Sequence, residues 1–308
     1  MLSPSLRLSE VPDFVSCIPG TDTPNVADKT TEQYRALIAR FLEFLDDDPP
    51  VESVTRAQYA AFHEWLAKRG TKAITCNGYR RRLRAVWNRL RERGIDVCDD
   101  RGIFKELPVP NQRSKAITEA HFSEMLQIAN IRDTAILLYV ASAGFRRQTV
   151  PRLRLDNTHI WLSDSGEYRI ASKIPQEKTS PPRLVIGDEA AALATRLWLE
   201  IREFSDSPWL FYEMAGGGQM AEYTVSSVFG NLRRSANIPA WSNASAHGLR
   251  HRFAQQQLNE HDQKIVAQWM GISIETMLKV YAHRGDDALI TARLGDDDFP
   301  KELLNGRG

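Results

Sequence analysis

The sequence predicts a mainly α-helical protein of two domains with one small β-hairpin or sheet. Three observations lead there. The chain has 308 residues, room for two domains of ~150 residues each. Apolar residues recur at spacings of three and four through most of it. A polar stretch with two prolines, Leu107-Pro108-Val109-Pro110-Asn111-Gln112-Arg113-Ser114-Lys115, separates two periodic blocks and reads as a linker over 108–116.

Residues 1–27 carry Pro4, Pro12, Pro19 and Pro24 and predict an irregular arm. From Asp28 the pattern is helical: Tyr34, Leu37, Ile38, Phe41, Leu42 and Leu45 share one face, and Asp46-Asp47-Asp48-Pro49-Pro50 ends it. A second helix begins near Thr55 and stops at Gly70. A third runs from about Thr75 to Arg93, closed by Gly94. Its apolar stripe is Tyr79, Leu83, Val86, Trp87 and Leu90, while Arg80, Arg81, Arg84 and Arg91 fall mainly on its other faces. Such a helix, one side in a core and another lined with guanidinium groups, suits phosphate walls; a solvated basic face is the plainer reading.

Beyond the linker, a helix opens at Thr118-Glu119, and Ile131 to Ala143 is strongly apolar and stopped by Gly144. Glu167 to Ile186 predicts a hairpin or small sheet, limited by Pro175, Pro181 and Pro182 to edge strands and turns. Helices follow at 188–204, 222–236, 247–260, 262–270 and 273–283.

Composition is that of an ordinary globular chain, with 42% hydrophobic and 26% charged residues. No apolar run reaches 18 residues, and Met1-Leu2-Ser3-Pro4 lacks the layout of a signal peptide. Cys17, Cys76 and Cys98 form no CxxC pair. A soluble, cytoplasmic protein without membrane contact is therefore expected. The net charge of +1 conceals an asymmetry. Residues 1–55 hold four basic and ten acidic residues, residues 56–115 fifteen and six, and the tail from Gly285 three and six. The basic middle points to a polyanionic partner.

Nucleotide and metal motifs fail. Gly216-Gly217-Gly218 has no following Lys-Ser/Thr, the histidines form no HExxH, and GxSxG is absent. What remains is a set of cations and a tyrosine. Gly144-Phe145-Arg146-Arg147 follows the apolar helix. Ala246-His247-Gly248-Leu249-Arg250-His251 opens another, with His247 and Arg250 on one face at its N-terminus, where an anion is favoured. Met270-Gly271-Ile272 and Tyr281-Ala282-His283 complete the set.

These boxes resemble those of the tyrosine recombinases of the phage integrase family. Gly144-Phe145-Arg146 with Leu153-Arg154-Leu155-Asp156 is similar to the first arginine box, and His247-Gly-Leu-Arg250-His to the HxxR box. Met270-Gly271 with Tyr281-Ala-His resembles the nucleophile box. The segment from Ile174 through Lys178 and Arg183 to Ile186 resembles the lysine hairpin. The likeness spans about 28–284, including a core-DNA-binding domain at 28–107. It implies a C-shaped clamp on double-stranded DNA, a catalytic domain at 117–284, and a tail at 285–308 that docks on a neighbouring protomer through Leu289, Ile290, Leu294, Leu303 and Leu304. It further implies a tetramer assembled on DNA, an accessory directionality factor, and work at the nucleoid.

The chemistry needs such residues. A phosphodiester is an anionic electrophile whose transition state loads charge onto its non-bridging oxygens, and arginines offer these oxygens permanent planar forks. By resemblance the forks are Arg146 and Arg250, with Arg147 the competitor of Arg146. Tyr281 is the nucleophile, and its 3′-phosphotyrosyl ester conserves the bond for rejoining. Lys178 protonates the leaving 5′ oxygen, with Lys173 as its competitor, and His247 assists proton transfer. No cofactor, metal or ATP is implied. Arg80, Arg81, Arg84, Arg91, Arg113 and Lys115 are the candidate DNA contacts.

Two positions depart from the family pattern. Ile272 stands where a phosphate-donating His or Trp is usual, leaving Trp269 or His283 as replacements. Thr149 stands where an acidic residue three after the first arginine is frequent, so that support is missing or relocated. Losing one donor typically costs ~3 kcal/mol. A catalytically weakened DNA-binding relative and a monomeric topoisomerase-like strand nicker are the rival readings.

Overall fold

The computed structural model describes residues 5–18, 21, 23–24, 26–98, 106–109, 116–177 and 180–281. The chain divides into two compact units, Met1–Gln112 and Arg113–Gly308. Arg113, Lys115, Lys178, His283 and the 285–308 tail, all singled out above, lie outside the described residues.

The first unit is helical. Where an irregular arm is expected, a 3-10 turn (Leu8–Glu10) leads into α1 (Val11–Ser16), and Leu8, Val11 and Val15 are fully buried. Pro12 does not prevent this, because it lies in the helix's first two positions, where a backbone N–H has no intrahelical acceptor. Arg89 and Arg93 then donate to the Val15 carbonyl at 3.2 and 3.3 Å. Next come α2 (Asp28–Leu45), α3 (Arg56–Lys68) and α4 (Ala73–Glu92). The Thr55 and Gln58 side chains cap the start of α3 reciprocally. The apolar stripes of these helices meet in an aromatic core, with Tyr59 stacked on Phe41 at 5.2 Å and edge-on to Trp87 at 4.8 Å.

Arg80 corrects one expectation. It is 9% exposed and belongs to the buried face of α4, because position 80 continues the row of Cys76, Leu83 and Trp87 at spacings of three and four. Its Nε lies in the interior rather than on an outer face of the helix. Arg81 and Arg84 are exposed, Arg81 gripping Glu106 at 2.5 and 2.8 Å. Arg91, also exposed, donates to Asn88 and to the Cys98 carbonyl.

The second unit comprises α5 (Glu119–Ile128), α6 (Ile131–Ala143), β1 (Thr158–Leu162), β2 (Tyr168–Ile174), β3 (Arg183–Gly187), α7 (Glu189–Ile201), α8 (Glu222–Ser235), α9 (Ala246–Glu260), α10 (Gln263–Met270) and α11 (Ile274–Val280). Apolar around most of its circumference, α6 runs through the core against α7, α9 and β3. The sheet is antiparallel in the order β1-β2-β3, and the Tyr139 hydroxyl ties it to α6 through Ser172 at 2.8 Å. Strand β1 precedes the segment that the sequence predicts as sheet. Its burial alternates only from Thr158 to Trp161, and its apolar residues Ile160-Trp161-Leu162 are consecutive rather than alternating, so the segment leaves a weak strand signal. Between β2 and β3, Glu177 and Ser180 exchange backbone hydrogen bonds of 3.0 Å and close the hairpin turn. No helix among the described residues is long and apolar enough to cross a membrane.

Candidate active site

The core helix α6 ends at Gly144 in the left-handed conformation, and the chain leaves it with Phe145 fully buried and Arg146 beside the start of α9. Ser245 caps α9, accepting from the Gly248 N–H at 3.1 Å. A Cβ on Gly248 would stand 1.9 Å from the Asn243 carbonyl oxygen, so the glycine permits the close approach that brings His247 and Arg250 to this end.

One cavity of about 890 Å³ is lined by Arg146, His247, Arg250, Ile272 and Tyr281, together with Arg147 and Arg233. The structure thus brings together four of the five residues that the sequence singles out for chemistry. Lys173 does not join them: it is exposed on β2 opposite Leu184. Arg147 points to Ser226 and Glu222 on α8.

Arg250 is 3% exposed and donates to the carbonyls of Gly144 at 2.5 Å and Met270 at 2.8 Å. Burial pulls its pKa down to about 10, offset in part by the Tyr281 hydroxyl beside it. It remains a cation at neutral pH. Arg146 donates to the Gly271 carbonyl at 2.8 Å, to Ser180 Oγ at 2.7 Å and to a Glu177 oxygen at 3.3 Å. The α10 terminus therefore presents consecutive carbonyls to both arginines. Gly271, at φ +60°, directs that end, and a Cβ there would meet Arg183 at 2.8 Å.

His247 and His251 face each other through Nε2 atoms 2.9 Å apart. The His251 ring lies 4.7 Å from that of Tyr281. Desolvation lowers the His247 pKa, and the Arg250 charge adds to this. Burial brings His251 to about 4, with His247 and Arg250 contributing. Both imidazoles are neutral at pH 7, so one Nε2–H donates to the other and His251 orients the ring of His247.

Sequence reasoning missed Glu177, Ser180 and Arg183. The buried Glu177 carboxylate accepts from Thr149 at 2.6 Å and Arg183 at 2.9 Å, besides Arg146. Burial acts to raise its pKa, but the Thr149 hydrogen bond and the two guanidinium charges outweigh this and hold it below the ordinary carboxylate value. No short motif joins Thr149 to a residue 28 positions on. Ile272 packs with Phe253, Met270 and Met277 and gives the cavity an apolar wall. Trp269 is not among the cavity's lining residues; it packs edge-on to His261 at 4.9 Å. Two guanidinium groups with a phenol beside one of them, lining one cavity, fit nucleophilic attack on an anionic phosphorus centre.

Residues 115–287 match the phage integrase family, just over half of the chain. The tyrosine recombinase XerD of Haemophilus influenzae is 22% identical over 275 residues, covering 86% of this chain and 90% of its own. The fold is similar to that of the Tn1549 transposon integrase solved with transposon right end DNA (TM-score 0.70, 17% identity, 93% of this chain and 98% of that one). It is also similar to a lambda integrase dimer bound to a COC′ core site (0.68, 16%, 92% and 79%). A third similar fold is the XerH site-specific recombinase on a palindromic difH substrate (0.67, 18%, 87% and 80%). With the match over residues 115–287 and an arginine-tyrosine cavity inside it, this chain belongs to the phage integrase family, the tyrosine recombinases.

Proposed function

We propose that the protein is a site-specific DNA recombinase that cleaves and rejoins strands of double-stranded DNA through a 3′-phosphotyrosyl intermediate. The observation that carries this reading is the single cavity shared by Arg146, His247, Arg250 and Tyr281. The Tyr281 oxygen attacks the scissile phosphorus as its phenolic proton passes toward His247. Arg146 and Arg250 hold the non-bridging oxygens, and the bond to the 5′ oxygen breaks. Lys178 protonates that oxygen. Its chain neighbours Glu177 and Ser180, both bonded to Arg146, support its choice over the exposed Lys173. Rejoining reverses these steps with a 5′ hydroxyl as nucleophile, so the phosphodiester is restored without ATP.

In this reading residues 28–107, together with the arm packed into their core, grip duplex DNA. The linker 108–116 contributes Arg113 and Lys115, and residues 117–284 carry the chemistry. Arg81, Arg84 and Arg91 contact phosphates. Four protomers assemble on two sites, docking through the 285–308 tail, and an accessory factor sets direction. The Tn1549 integrase structure with transposon right end DNA, and the XerH and lambda integrase structures bound to their sites, support DNA as the substrate, and work at the DNA in the cytoplasm accords with that reading.

Covalent trapping tests the reading. Wild type and Tyr281→Phe are mixed with nicked suicide duplexes from the ends of the protein's own genetic element and resolved under denaturing conditions. A denaturant-resistant adduct with wild type alone is expected. Duplex binding by both with an adduct from neither would overturn the catalytic reading in favour of a DNA-binding relative.

A further inference from the structure

Glu177 is the least explained group around the cavity. A carboxylate 2% exposed is costly unless its oxygens are filled, and here they are: one accepts from Thr149, the other from Arg183 and Arg146. It comes from the last residue before the tip of the β2–β3 turn, which its backbone closes with Ser180. Ser180 reinforces the same grip, because its hydroxyl accepts from Arg146 and donates to the Gly271 carbonyl.

Three consequences follow for Arg146. Of its five N–H donors, three are held by Glu177, Ser180 and Gly271 among the described residues, leaving two for a ligand. Its planar fork is fixed from two directions, by a carboxylate on the hairpin and a carbonyl on α10. Its repulsion from the neighbouring Arg250 and Arg183 is offset by one buried negative charge. The cluster keeps an excess of positive charge toward the cavity, the balance that a phosphodiester requires.

We propose that Glu177 positions Arg146 for the transferring phosphate, supplying from the hairpin the carboxylate that Thr149 cannot supply from its own place in the chain. Thr149 serves as the donor that orients it. This inference rests on the recombinase reading. It makes Glu177 and Ser180, the described residues that close the hairpin turn, part of the phosphate clamp.

The test measures single-turnover adduct formation on the nicked suicide duplex, with duplex binding and thermal unfolding followed in parallel. Wild type must first form the adduct; if it does not, the recombinase reading fails before Glu177 is tested. Glu177→Gln keeps the shape and removes the charge. It should slow adduct formation on the order of 100-fold and lower the unfolding temperature, because buried Arg183 loses its counter-charge, while duplex binding stays near wild type. The exchange variant Thr149→Glu with Glu177→Thr returns the carboxylate from the opposite side of the same hydrogen bond and should recover most of that loss. In an Arg146→Lys background, Glu177→Gln should add little, since its effect passes through Arg146. A wild-type rate for Glu177→Gln, or an undiminished loss in the Arg146→Lys background, would overturn the assignment.

Discussion

Arg146 and Arg250 donate to consecutive carbonyl oxygens, those of Gly271 and Met270, each at 2.8 Å. Two residues far apart in sequence are thus set relative to each other by one helix end. The spacing between the forks is therefore a property of the α10 terminus and of the left-handed turn at Gly271 that shapes it.

Gly271→Ala should consequently disarm the site without touching a reacting atom. The left-handed conformation costs an alanine about 1 kcal/mol, and the added Cβ presses on Arg183 at 2.8 Å. We expect adduct formation to fall by roughly two orders of magnitude, with duplex binding in a native gel retained. A rate near wild type would show that the carbonyls do not set the arginines.

The histidine pair predicts a direction for pH dependence. Because the folded-state pKa of His251 lies near 4, below its unfolded value of about 6.5, the folded state resists taking up the proton. Stability is thus complete above about pH 6.5 and is lost as pH falls toward 4, by an amount on the order of 3 kcal/mol from this residue. His63, buried in the first unit and also brought to about 4 by burial and by Arg80, acts in the same direction there. Calorimetry between pH 7.5 and 4.5 on wild type and His251→Gln should show a shallower acid loss in the variant.

Ile272 offers a gain-of-function test. Ile272→His places a hydrogen-bond donor on the cavity wall, where one donor is typically worth a factor of ~100 in rate. A faster single-turnover adduct is expected, together with about 1–2 kcal/mol of lost stability from opening the apolar cluster around Met270 and Met277. An unchanged rate would mean that the phosphate does not reach that wall.

Arg80 and Arg84 should separate cleanly. Arg80→Ala removes a buried side chain and is expected to lower the unfolding temperature of the first unit. Arg84→Ala should leave folding intact while reducing the slope of log affinity against log salt by about one. Binding titrations at several salt concentrations, beside melting curves, would read both. Loss of stability from Arg84→Ala would reverse the assignment of faces on α4.

Much of this architecture is legible in the sequence because most of its helices contrast an apolar face with a charged one. Ile131–Ala143 is bounded to the residue by its cap and by Gly144. Helix α1 is not legible: prolines suggest a loop, and only packing shows that Leu8, Val11 and Val15 complete a core. Arg80 misleads for a related reason, since a guanidinium on the inner face is indistinguishable in sequence from one on the outer. Within the site, Arg146, His247, Arg250 and Tyr281 stand in recognisable local patterns. Glu177, Ser180 and Arg183 do not, because their roles arise where the hairpin, the turn after α6 and the end of α10 converge.

The shared carbonyl row has a further meaning for safety. The helix end that steadies both arginines leads directly into α11, whose last turn delivers Tyr281. If that segment lifts away, the cationic pocket loses its scaffold in the same movement that withdraws the phenol. A protomer in that condition would hold neither an armed pocket awaiting a nucleophile nor a loose nucleophile beside an armed pocket. On the proposed recombinase reading, such a site is complete or inert as a unit, which would spare DNA from stray nicks.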